Sequence, residues 1–274
     1  MQSPDLQKLC VHTITTKSWS LEEALDQYLS HGVKGISVWQ NAIEKMGAQK
    51  AGALLSSYDI EVVSYVRGGF FPSSSKEKRE AALSHNKQMI EEAAEIGAPL
   101  LVLVCGAEPQ QSLEESRAQI ESGIENLLPF AQEHKVKLGI EPLHPMYADT
   151  RSAINTLKQG NDIAERLDNE YVGVVADVYH LWWEENLKAE ILRAGRMGNL
   201  FAYHICDWKY PPEDMLNDRG LMGDGCIPLQ KIRSWVEEAG FRGFHEVEVF
   251  SHKYWAMDQT EYLKKIIHTY KNNS

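Results

Sequence analysis

Residues 174–183, VVADVYHLWW, combine the signal of a buried strand with polar residues at its end. Val174, Val175 and Ala176 form an apolar run of the kind found in strands that are covered on both faces. Asp177 ends the run, and His180 follows three residues later. This placement needs an explanation, because a carboxylate beside apolar surroundings is costly unless something compensates its charge.

Short apolar runs of strand length occur eight times along the chain. The short apolar runs are residues 8–14, 35–39, 61–66, 100–105, 136–142, 172–177, 199–205 and 244–250. Segments with helical periodicity lie between many of them, at residues 20–32, 75–97, 112–134, 152–167, 228–240 and 259–270. Several begin with a capping signal, such as Ser20 followed by Glu23.

Eight strand–helix units of roughly 34 residues would fill a chain of this length, as an eightfold (β/α) barrel does. We therefore predict an α/β protein with a (β/α)8 TIM barrel fold, and a single domain that spans residues 1–274. An open, doubly wound sheet is the structural alternative. The G-x-G-x-x-G signature that many such sheets use is absent from this sequence.

Composition and charge limit the classes of partner. The formal net charge is −11, which repels phosphate backbones and makes a nucleic-acid partner a poor expectation. The sequence lacks an apolar run of the ~18 residues that a membrane span needs, and its first residues do not resemble a signal peptide. The four scattered cysteines (Cys10, Cys105, Cys206 and Cys226) indicate reduced thiols. We expect a cytoplasmic protein with a small-molecule partner, and we leave a homo-oligomer open.

Residues of metal-binding type end four consecutive predicted strands. Glu141 ends the fifth strand, Asp177 the sixth, and His204 lies on the seventh; the eighth carries Glu246 and Glu248. Carboxyl ends of barrel strands meet at one mouth, so these side chains should converge there. Neighbouring carboxylates repel each other, and a divalent cation would remove the conflict. The set predicts one Mn²⁺, Mg²⁺, Co²⁺ or Zn²⁺ ion.

Four further residues are candidate substrate contacts, and three of them also have a structural interpretation. Arg67 precedes two glycines after the third strand and is either a surface arginine at a turn or a clamp for an anion or hydroxyl. Arg219 begins a glycine-rich loop at residues 219–225 and is a candidate substrate contact. His180 either caps the loop after Asp177 or contacts substrate. His12 on the first strand is either a satisfied core histidine or a substrate contact.

Several motifs resemble those of the xylose isomerase-like TIM-barrel superfamily, which includes inosose isomerases, ketose 3-epimerases and apurinic-site endonucleases. The motifs are IEPLHP (140–145), ADVYH (176–180), YHICD (203–207), DRGLMGDGCIPL (218–229) and VEVFS (247–251). The resemblance covers almost the whole chain and is strongest between residues 141 and 255. It identifies the superfamily and leaves the substrate open.

The resemblance also implies residue roles. Isomerase and epimerase members hold one divalent metal through a ligand set that falls here on Glu141, Asp177, His204 and Glu248. Glu248 matches better than Glu246 because the family's last glutamate precedes an x-Phe, as in EVF. The family's D-x-x-H histidine falls on His180 and contacts substrate oxygen, and a loop arginine corresponds to Arg219.

These residues predict a metal-dependent isomerase or epimerase of a ketose, inosose or related keto-sugar. Glu141 and Glu248 would exchange a proton with an enediolate. A keto-sugar lyase or dehydratase would share the first step and remains an alternative. An endonuclease fits less well, since those members hold three zinc ions and bind DNA through a basic groove. A non-catalytic barrel conflicts with an intact ligand set.

Overall fold

The structure is a computed structural model that describes residues 4–274. Eight parallel strands form a closed barrel in chain order, with the eighth pairing with the first. The strands are Leu9–His12 (β1), Gly35–Trp39 (β2), Glu61–Gly69 (β3), Leu100–Val104 (β4), Lys137–Glu141 (β5), Val172–Asp177 (β6), Leu200–Ile205 (β7) and His245–Val247 (β8). All eight predicted runs contribute a strand, so the barrel prediction is confirmed.

Helices surround the barrel. They are Leu21–Ser30 (α1), Gln40–Ile43 (α2), Ala48–Ser56 (α3), Lys76–Glu95 (α4), Leu113–His134 (α5), Leu157–Leu167 (α6), Val178–Leu181 (α7), Leu187–Met197 (α8), Leu229–Glu238 (α9), His252–Trp255 (α10) and Gln259–Asn273 (α11). Two 3-10 turns cover Leu6–Lys8 and Pro145–Tyr147. Within residues 4–274, none of the helices has the length and apolar character needed to span a bilayer.

The helix pattern differs from the sequence-based expectation in additional helices and in the start of α6. Helices α2, α3, α7, α8 and α10 were not among the predicted segments, and α3 and α8 complete the connections from β2 to β3 and from β6 to β7. Helix α6 begins five residues after the expected start, because Thr156 caps it by accepting from the Gln159 amide. The preceding residues instead support the loop after β5, where the Leu143 amide donates to the Ile154 carbonyl.

The barrel interior changes from apolar to polar toward the carboxyl ends of the strands. Val175 on β6 and Ala202 on β7 belong to an apolar cluster inside the barrel. Side chains alternate along a strand, so the next inward positions are Asp177 and His204. The strand period therefore directs both polar side chains into the mouth of the barrel.

Candidate metal centre

Four strand ends bring a carboxylate or an imidazole to one point. Glu141 ends β5, Asp177 ends β6, His204 lies on β7, and Glu248 follows β8 by one residue. All four are buried, and each offers one ligand atom within 4.8 Å of the other three. This is the set that the sequence singled out, and the structure brings it together.

The free atoms of this cluster fit a divalent cation. Glu141 Oε1 and His204 Nδ1 lie 3.0 Å apart, but the contact lacks hydrogen-bond geometry. Within residues 4–274 neither atom has a hydrogen-bond partner, although both are buried. Buried polar atoms are normally paired, so two such atoms facing each other are unusual. Oxygen and imidazole donors of this kind suit Mn²⁺, Mg²⁺, Co²⁺ or Zn²⁺.

The protonation behaviour of the cluster shows that it attracts positive charge. Burial raises the pKa of Asp177 to about 7, and Arg219 offsets only part of that effect. Burial alone would lower the pKa of His204, but nearby carboxylates, Glu246 and Glu141 foremost, raise it to about 10. Without a metal, the cluster therefore retains protons at positions that a cation would occupy.

Arg219 lies beside two members of the cluster. Its Nη1 donates to Asp177 Oδ2 at 3.0 Å and to Glu248 Oε2 at 2.8 Å. The guanidinium stacks over the ring of Tyr179, 4.4 Å from its centroid, and the side chain is only 4% exposed. Arg219 therefore neutralises part of the carboxylate charge, and it lies where the sequence expected a substrate contact.

His180 is a neutral imidazole at the same site. Its Nδ1 lies 3.2 Å from the backbone amide nitrogen of His144, which can only donate. Burial and the charge of Arg219 lower the pKa of His180 well below its usual value. The Nε2 atom lies 3.2 Å from Nη2 of Arg219. Both ring nitrogens of His180 therefore face a donor group, although a neutral imidazole offers only one acceptor, so a substrate oxygen at this point would give the N–H groups of Arg219 a better partner.

The two glutamates of β8 have different surroundings. Glu246 Oε2 accepts from Ser37 Oγ at 2.5 Å, Ser64 Oγ at 3.1 Å and His12 Nε2 at 3.1 Å. His12, Glu246 and His204 form a second group with metal-binding side chains. The first cluster is the better metal centre, because it offers four ligand atoms instead of three and includes Glu141 Oε1, which lacks a hydrogen-bond partner within residues 4–274. His12 is a buried histidine of the barrel interior that supports Glu246.

The loop after β7 covers the mouth of the barrel. Asp207 organises this loop by accepting from the backbone amides of Trp208, Gly223, Gly225 and Ile227. Further along, the Met215 carbonyl accepts from the hydroxyls of Tyr147 at 2.5 Å and Tyr179 at 3.2 Å. The loop segment 208–218 therefore shields the metal centre from solvent.

A narrow cavity of about 20 Å³ lies under this loop. Its lining includes Trp39, Tyr147, Arg151, His180, Glu248 and Phe250. Arg67, at the end of β3, is half-buried with its guanidinium 4.8 Å from the ring centroid of Phe70. The sequence interpretation missed Arg151, since no strand end or motif marks its position in the long loop after β5.

An eight-stranded barrel with a carboxylate–histidine cluster at its carboxyl-terminal mouth defines the class of protein. The chain belongs to the xylose isomerase-like TIM barrel family, whose model matches residues 25–270. This confirms the resemblance that the motifs indicated. Inosose isomerase of Bacillus velezensis is 26% identical over 199 residues, which are 71% of this chain and 69% of that protein. The Bacillus subtilis inosose isomerase is 25% identical over the same shares of both chains.

Solved structures agree with this fold. A protein from Sinorhizobium meliloti 1021 superposes with a TM-score of 0.95 at 40% identity, covering 98% of this chain and 99% of that one. The IOLI protein, solved with a bound zinc atom, gives a TM-score of 0.84 at 23% identity over 96% of both chains. At that lower identity, the similarity shows a shared fold.

Proposed function

We propose that this protein is a divalent-metal-dependent isomerase or epimerase of a ketose, inosose or related keto-sugar. One observation carries the proposal. Glu141 and Glu248 come from β5 and β8, three strands apart in the closed barrel, and still converge within 4.8 Å as part of one buried cluster. Two carboxylates approaching from different sides of a site suit removal of a proton at one position and its return at another. The inosose isomerase relatives support this reaction class.

The metal would be held by the cluster of Glu141, Asp177, His204 and Glu248. When bound, a divalent cation would polarise a substrate carbonyl and its neighbouring hydroxyl. The zinc atom in the related IOLI structure supports a metal at this kind of site. We infer one ion for each chain and leave its identity to experiment.

The protein side chains would move the proton. One glutamate of the pair accepts the proton from the carbon next to the carbonyl, and the electron pair of that C–H bond moves toward the carbonyl oxygen to form an enediolate. The N–H groups of His180 and Arg219 would donate to an oxygen that gains negative charge, as in an oxyanion hole. The other glutamate would then return a proton to the neighbouring carbon or to the opposite face.

Proton exchange in D₂O tests this function. Keto-sugars and inososes are incubated with the protein and Mn²⁺, Co²⁺ or Mg²⁺, and the products are read by NMR and mass spectrometry. We expect deuterium at the reacting carbon of the isomerised product. Glu141→Gln and Glu248→Gln should keep substrate binding and lose turnover by several orders of magnitude, whereas the exposed Glu91→Gln should behave like the wild type.

Other results of the D₂O experiment would contradict the mechanism, the reaction class or the proposed function. A product that retains all of its original hydrogen would indicate a hydride shift and contradict the two-glutamate mechanism. A product that has lost water or an aglycone would indicate a lyase, which shares the first proton abstraction. Absence of both exchange and turnover across the sugar set would contradict the proposed function.

A further inference from the structure

Two arginines belong to chain segments that meet beside the cavity. Arg67 lies on β3, two residues before its end, and Arg151 lies in the loop after β5 and lines the cavity. Gly106 contacts both segments: its amide donates to the Arg151 carbonyl at 2.9 Å, and a Cβ atom at this glycine would lie 2.7 Å from the Phe70 Cα. The two arginine-bearing segments are therefore held against the same glycine, although they are far apart in sequence.

Neither guanidinium is neutralised by the protein. Throughout residues 4–274, no carboxylate lies within the 4.0 Å salt-bridge distance of Arg67 or Arg151. Arg67 lies over Phe70, and Arg151 lies over the ring of Tyr147 at 5.6 Å from its centroid. By contrast, Arg219 at the same site has two carboxylate partners. In a chain with 39 acidic residues and a net charge of −11, two half-buried arginines without acidic partners at one site require a reason.

Their charges act on each other and on the cavity. Burial, followed by the charge of Arg151, lowers the pKa of Arg67. After burial and Arg219, the charge of Arg151 also contributes to the lowered pKa of His180. The carboxylates of Glu141 and Glu248 act on Arg67 in the opposite sense. Arg151 lines the same cavity as Glu141 and Glu248, so an anion held by the two guanidinium groups would lie beside the candidate metal centre and would relieve their mutual repulsion.

We propose that Arg67 and Arg151 form an anion subsite beside the metal centre, and that the substrate is a keto-sugar carrying a carboxylate or a phosphate. This rests on the proposed function, which it extends to a substrate class. The planar guanidinium fork matches both anions and can bind either through two hydrogen bonds. A bound anion at this position would anchor the far end of the sugar while its carbonyl end lies at the glutamate pair, so that remote binding contributes to the reaction.

Binding of inorganic phosphate to metal-free protein tests the subsite without any need for turnover. Metal is removed because phosphate would otherwise bind the cation. Titration calorimetry should show one phosphate bound by the wild type and at least about tenfold weaker binding by the Arg67→Gln/Arg151→Gln double variant, since each charged hydrogen-bond donor typically contributes this much. Arg242→Gln removes the same charge from an exposed position in the loop that enters β8 and should bind phosphate like the wild type.

A lysine double variant separates charge from folding. Arg67→Lys/Arg151→Lys keeps both charges and should retain part of the phosphate affinity, while far-ultraviolet circular dichroism checks that all variants are folded. Failure of the wild type to bind phosphate would overturn the subsite. So would equal phosphate binding by the wild type and the folded glutamine double variant.

A second titration separates the two anion sources. Metal-loaded enzyme is given D-fructose, its C6 carboxylate form and its C6 phosphate, which share one skeleton. We expect one of the anionic forms to exceed the neutral sugar at least tenfold in affinity or in kcat/KM, and the glutamine double variant to lose that preference. Equal use of all three sugars by both proteins would overturn the anionic substrate. If phosphate binds but no keto-sugar reacts, the proposed function fails alone; if neutral sugars react and phosphate does not bind, the subsite fails alone.

Discussion

Replacement of Arg219 by methionine tests whether Asp177 and Glu248 face a metal. Arg219 is the buried cation that pairs with both carboxylates in the metal-free protein. Arg219→Met keeps a long side chain and removes the charge, so it leaves two buried carboxylates without their partner. Loss of one partner from a buried ion pair typically costs about 3–5 kcal/mol of unfolding free energy.

The loss of unfolding free energy in Arg219→Met should depend on whether a divalent cation is bound. For a chain of this size, each kcal/mol lowers the melting temperature by about 2–4 °C, so metal-free Arg219→Met should melt roughly 6–20 °C below the wild type. A divalent cation bound by the same carboxylates would offset the missing charge. The variant should therefore bind the cation more tightly than the wild type, and each tenfold gain adds about 1.4 kcal/mol of stability at saturating metal.

The assay is urea unfolding with a chelator and with Mn²⁺, combined with direct titration of the metal. Arg193→Met is the matched control, because Arg193 also pairs with several carboxylates, including Asp162 and Glu190, but on the outer helices. It should lose less stability, and by the same amount with and without Mn²⁺. The reasoning is refuted if Arg219→Met loses equal stability in both conditions or binds Mn²⁺ more weakly than the wild type.

Three further predictions concern the same cluster. His204→Ala should reduce bound Mn²⁺ from about one equivalent per chain to a small fraction, as measured by elemental analysis of desalted protein. A value near three equivalents in the wild type would instead point to an endonuclease-type centre. His180→Ala should keep the metal and lower kcat by roughly 100- to 1000-fold, and loss of the metal would instead make His180 a ligand. A pKa of about 10 keeps His204 protonated at neutral pH, a pKa of about 7 leaves Asp177 about half protonated there, and both groups must be deprotonated to bind a cation. Metal binding should therefore release protons, and metal affinity should fall as the pH is lowered through 7. Calorimetry in buffers of different ionisation enthalpy measures the number of protons released, and a value of zero would contradict this prediction.

Part of this site could be predicted from the sequence because parallel strands obey strict rules. Eight apolar runs of strand length predicted the barrel, and the carboxyl ends of barrel strands always meet at one mouth. Position at a strand end therefore sufficed to bring Glu141, Asp177 and His204 together. The preference for Glu248 over Glu246 came from the family motif, and the structure places Glu248 in the cluster while Glu246 accepts from Ser37 and Ser64.

The rest depended on tertiary structure. The path of a loop is not set by a repeating period, so nothing near Arg151 in the sequence indicated that it would line the cavity beside the metal centre. The pairing of Arg219 with Asp177 and Glu248 likewise arises only after the β7 loop folds over the mouth. The sequence by itself thus determined which side chains the strands deliver to the centre, since the strand period and barrel closure fix them. Only the folded loops decided which charges surround that centre, because those contacts join residues that no local pattern connects.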